Sequence, residues 1–445
     1  MPRALHQQGL LAGLVTDWYA FGKQNRKQPC EIGEAISRAG ENRNEGTGSK
    51  EQRSVVSGQW SWTRLFGGRG RAARAARAEG IPDGLVRAFL FRSLLWKWRV
   101  RRLAAQGRSH EACLQTDSAF ASAVARLKLP PHEVFFGYSY ASLEMLAVEK
   151  KRGVLTVLDQ IDPGAVEFQL VAEEMARFPE LGGPPPEFPA AYYERNQREW
   201  TMADIIVVNS KWSRKALVKQ GVPSEKLVVI PLAYEVNAEK QKAARRSSQP
   251  KTSRAGESGN VQPSTLNPQP STAPLRVLWL GQVNVRKGIH YLMEAARKLE
   301  QEKIHFDVVG PIGILPAAVA SAPRNLTFHG PVSRDRAADW YRKADLFVLP
   351  TLSDGFAITQ LEAMSHGLPV ITTPCCGDVV SDGVDGFIIP SRDADALART
   401  LQRYLKESKL LLEQRIAAAA KSRQFTLDHL SANLLTLEAA LGDRR

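Results

Sequence analysis

The chain is 445 residues long, 43% hydrophobic and 24% charged, a composition of soluble globular proteins and a length beyond one ordinary core. No apolar run approaches the roughly 18 residues of a membrane-spanning helix, and four cysteines in so long a chain make no disulfide framework, so a reducing, cytoplasmic setting is expected. The net charge of +14 is unevenly placed, and adjacent Cys375 and Cys376 lack the second Cys/His cluster that a metal site needs.

Residues 1–236 read as one α/β domain. The opening "MPRALHQQGLLAGLVTDWYA" has no signal-peptide layout. It begins on a helix-like run with no strand or Gly-rich turn before it, so either the sequence starts late or the N-terminal sheet lacks its usual leading strand. Residues 23–60 are polar and Gly-containing, as a long loop is. From Arg64 to Arg108, twelve Arg or Lys face only Glu79 and Asp83. Within "GLVRAFLFRSLLWKWRVRRL" apolar and basic residues interleave as in an interfacial amphipathic helix. Two readings stand for this stretch, a solvated basic face and attraction to an anionic membrane surface, which would make the protein peripheral to the inner face of a membrane. No nucleic-acid motif accompanies the charge, so nucleic acid is not expected as a partner. The runs "LLAGLVTD", "VFFGYS", "GVLTVLDQ", "DIIVVNS" and "KLVVIPL" predict strands, and "SLEMLAVEKKR" and "KWSRKALVKQG" predict helices.

Residues 237–275 are rich in Ser, Pro, Gln, Lys and Arg and predict a disordered linker. Residues 276–420 then alternate strand and helix in a stricter rhythm: "RVLWLG", "IHYLMEAARKLEQE", "HFDVVG", "NLTFHG", "RDRAADWYRKA", "DLFVLP", "FAITQLEAMSHG", "PVITT", "GFIIP" and "DADALARTLQRYL". Strands that end in Gly or Pro and lead into helices predict a second parallel, doubly wound domain. Residues 421–445 predict a C-terminal helix.

In such sheets ligands bind beyond the carboxyl ends of the strands. After "RVLWLG", Arg286 and Lys287 stand at a helix N-terminus, where cations oppose the helix dipole and a bound anion would reverse that cost. After "DLFVLP" comes "TLSDGFAITQLEAM", with Asp354 expected at the helix cap and Gly355 expected to let the backbone approach a ligand. The amides of Gly355, Phe356, Ala357 and Ile358 are expected to point out from the helix start. Glu362 falls beside the apolar stripe of that helix and needs a partner, either a diol such as a ribose or a buried Arg or Lys.

"SDGFAITQLEAMSHGLPVITT" and the following "GDVVSDGVDGFIIP" resemble the signature of glycosyltransferase family 4, two acids separated by seven positions, which Asp354 and Glu362 match. "GQVNVRKG" resembles the family's strand–loop–helix with a phosphate-binding Lys, and "TFHGPV" its base-side loop. The resemblance covers most of residues 130–420. It implies a GT-B fold, two Rossmann-like domains facing a cleft, and retaining, metal-independent transfer from a nucleotide sugar without further cofactor. Carried over, Lys287 and Asp354 would act at the reacting centre. Gly281, Gln282, Arg286 and Lys287 would line the donor diphosphate, Asp354 and the amides of Gly355 to Ile358 the sugar and phosphate oxygens, Glu362 the ribose, and Val332 the base. This chain departs from the family in having Gln282 where an Arg is usual and Asp354 where a Glu is usual. The acceptor is expected to be a glycan or lipid of the cell envelope. A GT-B epimerase or hydrolase acting on the nucleotide sugar, and an inactive GT-B scaffold, stand as alternatives.

Overall fold

A computed structural model of the chain describes residues 108–235 and 273–442, together with 14–16, 86–88 and parts of 95–106. The expected loop at 23–60, the opening helix and nearly all of the 237–275 linker lie outside the described residues.

Among the described residues, twelve strands form three parallel sheets. β1 (Leu14–Thr16) pairs with β2 (Val86–Ala88). β3 (Val134–Tyr138), β4 (Leu155–Gln160), β5 (Ile205–Val208) and β6 (Leu227–Val229) lie side by side in sequence order. The third sheet holds β7 (Leu275–Leu280), β8 (Ile304–Val309), β9 (Leu326–Gly330), β10 (Leu346–Leu349), β11 (Val370–Thr372) and β12 (Gly386–Ile388) in the spatial order β12-β11-β10-β7-β8-β9. The inner strands are short apolar runs buried on both faces, as "IIVV" and "LFVL" are, which is what helices packed on both sides of a parallel sheet require.

The order of the third sheet reverses between β7 and β10. The chain builds β7, β8 and β9 outward in one direction, then returns to lay β10 on the other side of β7. Their carboxyl ends therefore open on a common crevice, the switch point where such sheets bind ligands.

Two helices cross between the domains. Ala165–Arg177 follows β4, yet its Val171 and Met175, with Leu181 just beyond, belong to the apolar core built on the third sheet. The helix Leu427–Gly442 at the other end of the chain returns to the second sheet, where Leu427, Leu430, Leu434 and Leu437 pack on Val157, Ile205, Val207 and Ile230.

Two expectations change. The stretch expected as one amphipathic helix contains strand Val86–Ala88, whose parallel pairing with β1 overrides the helical pattern. The described residues that are helical begin at Leu95, where Leu95 and Trp98 are exposed and the Arg102 guanidinium lies 5.6 Å from the Trp98 ring centre. Cys113 is disulfide-bonded, which removes the support that cysteine usage gave to a reducing setting, whereas Cys375 and Cys376 are free thiols. Among the described residues no helix is long and apolar enough to cross a membrane.

Candidate functional site at the switch point of the third sheet

The loop after β7 makes a tight turn, Val285–Lys287, before the helix Ile289–Lys298. Asn284 caps the turn by accepting from the Lys287 amide at 3.0 Å. Gly288 separates turn from helix at φ 71°, and a Cβ there would fall 1.8 Å from the carbonyl oxygen of Pro350 at the end of β10. Leu352 and Thr351 then donate to the carbonyl of Arg286, at 2.9 and 3.0 Å. These contacts lock the two loops together, so the cations after β7 and the acid after β10 meet.

Lys287 Nζ donates to Asp354 Oδ2. Arg286 Nη1 lies 4.0 Å from Asp354 Oδ1, 3.3 Å from the Ser353 carbonyl, and 3.5 Å from Glu167 Oε1 across the domain boundary. Burial pushes the Asp354 carboxyl up, but Lys287, Arg286 and the Phe356 amide outweigh it and hold the group below the usual carboxylate range. Asp354 is thus an ion-pair member and does not cap the helix. The helix runs Ile358–Ser365 with Ala357 in the cap position and no side-chain cap bond, because the Asp354 carboxylate is already committed.

Of the four amides expected to point outward, that of Phe356 bonds Asp354 and that of Ala357 bonds the Cys376 thiol. Gly355 does serve a close approach, to the other domain: a Cβ there would sit 2.9 Å from both Asn209 Nδ2 and the Ile161 carbonyl oxygen. Asn209 holds that carbonyl itself, donating at 3.0 Å.

Glu362 is half-buried and accepts from the Tyr341 hydroxyl at 2.9 Å. Gln282 accepts from Asn284 at 3.5 Å, while the Gly281 carbonyl lies against Gly310, where an added Cβ would come within 1.6 Å. Val332 follows the edge strand β9, with β8 between it and β7. The structure therefore gathers Arg286, Lys287, Asp354 and Gly355 into one cluster, with Gln282 in the same loop after β7, whereas Glu362 is bonded to Tyr341 and Val332 follows β9, two strands from β7.

Sequence reading missed the wall supplied by the N-terminal domain. Glu167 stands in the first turn of Ala165–Arg177, and its Oε2 accepts from Ser353 Oγ at 2.9 Å. That hydroxyl accepts in turn from Trp212 Nε1 at 3.1 Å. Burial pushes the Glu167 carboxyl up to about 7, with Arg286 pulling it down and Asp162 and Asp354 raising it further. No local pattern could have found this residue, since 186 positions separate it from Ser353. Among the described residues no group of three His, Cys, Asp or Glu is arranged to hold a metal ion.

Residues 274–407 match the family model of the glycosyl transferases group 1. A D-inositol 3-phosphate glycosyltransferase of Streptomyces griseus is 37% identical over 121 residues, 26% of each chain. One from Xylanimonas cellulosilytica is 31% identical over 187 residues, 40% of this chain and 44% of its own. The chain thus spans less than half the length of these curated relatives. Among solved structures, sucrose-phosphate synthase of Thermosynechococcus elongatus superposes with a TM-score of 0.53 at 20% identity, covering 76% of this chain and 80% of that one. Anabaena HepE, solved with UDP and glucose, superposes at 0.51 and 14% identity over 82% and 88%. The chain consists of two Rossmann-like domains with parallel sheets facing a cleft in the GT-B arrangement, and residues 274–407, within its C-terminal domain, are those that match the glycosyl transferases group 1.

Proposed function

We propose that the protein transfers a sugar from a nucleoside-diphosphate sugar to an acceptor hydroxyl, with the donor held at the β7–β10 switch point. The observation that carries the reading is the convergence of Arg286, Lys287 and Asp354 at the carboxyl ends of two adjacent parallel strands. Two cations beside the N-terminus of Ile289–Lys298 suit a diphosphate, and an anion there would take over the charge that Asp354 now neutralises. As the glycosidic bond breaks, the leaving diphosphate gains negative charge, which Lys287 and Arg286 stabilise. Attack by the acceptor from the leaving-group side retains the anomeric configuration. Asp354, freed from Lys287, faces sugar hydroxyls, Glu362 the ribose diol, and Val332 the base. The acceptor, a glycan or lipid, enters from the N-terminal domain, and the basic stretch 64–108 suits an anionic membrane surface beside a cytoplasmic enzyme.

The test is calorimetric titration with a panel of UDP-, GDP- and ADP-sugars. Lys287→Ala and Glu362→Ala are each expected to weaken donor binding roughly tenfold or more, the scale of one charge-assisted contact. Unchanged affinity in both variants would end the reading. Sugar release without an acceptor would favour the hydrolase or epimerase alternative.

A further inference from the structure

Arg286 is held from two sides. On its own domain it meets the Ser353 carbonyl and, at 4.0 Å, Asp354; from the other domain Glu167 approaches to 3.5 Å. Glu167 cannot easily withdraw. Its helix is anchored by Val171 and Met175 in the core of the C-terminal domain, and Ser353, itself held by Trp212, bonds the same carboxylate. The charged and titratable groups facing Glu167 are Arg286 from the loop after β7, Asp354 from the loop after β10, Asp162 from the loop after β4 and Tyr193 from the helix Ala190–Met202. Lys287 lies one step away and is paired with Asp354. Arg286 is therefore the cation that neutralises Glu167 directly, and three acids share two cations.

We propose that Glu167, supplied by the opposite domain, is a positioning residue for Arg286, and that arrival of a donor diphosphate transfers Arg286 to the phosphates while Glu167 takes up a proton from solvent. The inference rests on the donor-site reading above. A diphosphate brings two negative charges into the crevice and draws the guanidinium toward itself. Glu167 stays where its helix holds it, beside Asp162 and Asp354, with its neutralising partner turned away. A half-buried carboxylate left beside two other acids lowers its energy by binding a proton. Its carboxyl already stands at about 7 before any ligand arrives, so the added shift falls across neutral pH. Protonated, Glu167 keeps its bond from Ser353 and gains a hydroxyl donor of its own. Asp162, raised by burial despite bonds from the Gly164 amide, Tyr140 and Gln160, is the rival acceptor for that proton.

The test counts protons by calorimetry, titrating the full chain near neutral pH with UDP-glucose and GDP-mannose in buffers of low and high ionisation enthalpy. The diphosphate diester of these probes has no ionisation near neutrality, so proton uptake belongs to the protein. Wild type should take up more protons per bound donor than Glu167→Gln, by up to about one. Glu167→Asp should restore the uptake, because it restores the titrating group. If Glu167→Gln does not fold, the wild type alone decides: uptake should appear near neutrality and vanish toward about pH 5, where the carboxyl is protonated before binding. Donor binding with equal uptake in wild type and Glu167→Gln, or with no uptake in wild type, overturns the inference and leaves the donor site standing. Failure of the wild type to bind any nucleotide sugar overturns both.

Discussion

Gly288 and Gly153 have nearly the same backbone angle, φ 71° and 70°, in opposite surroundings. Beside Gly153 nothing lies within 4 Å of an added Cβ, whereas at Gly288 the Pro350 carbonyl carbon and oxygen stand 2.7 and 1.8 Å away. Gly153→Ala is therefore expected to cost only the left-handed penalty, about 1 kcal/mol, and Gly288→Ala about 3 kcal/mol or more because backbone must shift. Denaturant unfolding of the two variants checks this, and equal losses would show that the β7 and β10 loops are not locked at this point. Single residues of this kind were only partly legible in sequence. The spacing of Asp354 and Glu362 and the pair Arg286–Lys287 stood out because they sit on regular elements at fixed intervals. Their partners did not, because Glu167, Trp212 and Asn209 reach the cluster from another domain. Asp354 departs from the cap role that its local sequence predicts for the same reason: no local rule reveals that a lysine 67 positions earlier claims its carboxylate.

At the level of the element, sequence reading was strongest where burial was two-sided. Every strand expected in residues 276–420 is present, since a short β-branched run between Gly and Pro has few other uses in a parallel sheet. What a helix packs against was not legible. The stripe of Leu427, Leu430, Leu434 and Leu437 announces an amphipathic helix, but only the structure shows that it covers the sheet of the other domain. Leu430→Ala or Leu434→Ala should cost about 2–4 kcal/mol by leaving a cavity. Hydrogen exchange should show the loss in β4 and β5, more than 220 positions earlier, and protection lost only in the C-terminal domain would refute the assignment. A second element is held from afar in the same way. Glu199 accepts from the amides of Tyr140, Ser142 and Leu143 at 2.6, 2.8 and 3.0 Å, capping the helix Leu143–Lys151 while Ser142 turns its own hydroxyl to the Tyr138 carbonyl. Glu199→Ala, which strands three buried donors, should destabilise by about 3 kcal/mol, and Glu199→Gln, which keeps one acceptor, by less.

The two domains are joined by more than the proposed linker, and one polar tie between them lies away from the crevice. Glu174, fully buried on the helix Ala165–Arg177, accepts from Tyr291 and from Arg392 Nε at 2.8 Å, and lies 3.1 Å from His290 Nε2, all three on the C-terminal domain. Burial pushes its carboxyl up, but His290, Tyr291 and Arg392 together hold it below the ordinary range. A carboxyl depressed on folding binds fewer protons in the folded state than in the unfolded one. The clasp is therefore at full strength above the ordinary carboxylate pKa and weakens as pH falls through the folded value. Glu174→Ala leaves the buried His290 and Tyr291 without this acceptor and takes from half-buried Arg392 one of its two carboxylates, at a cost of about 3 kcal/mol. That cost falls on the contact between domains, because neither sheet loses a side chain. Thermal unfolding of the variant should thus broaden or divide into two transitions where the wild type shows one, and the difference between the two proteins should shrink as the pH is lowered. A single sharp transition displaced to lower temperature, by the same amount at every pH, would place the loss within one domain and deny Glu174 its part in holding the cleft together.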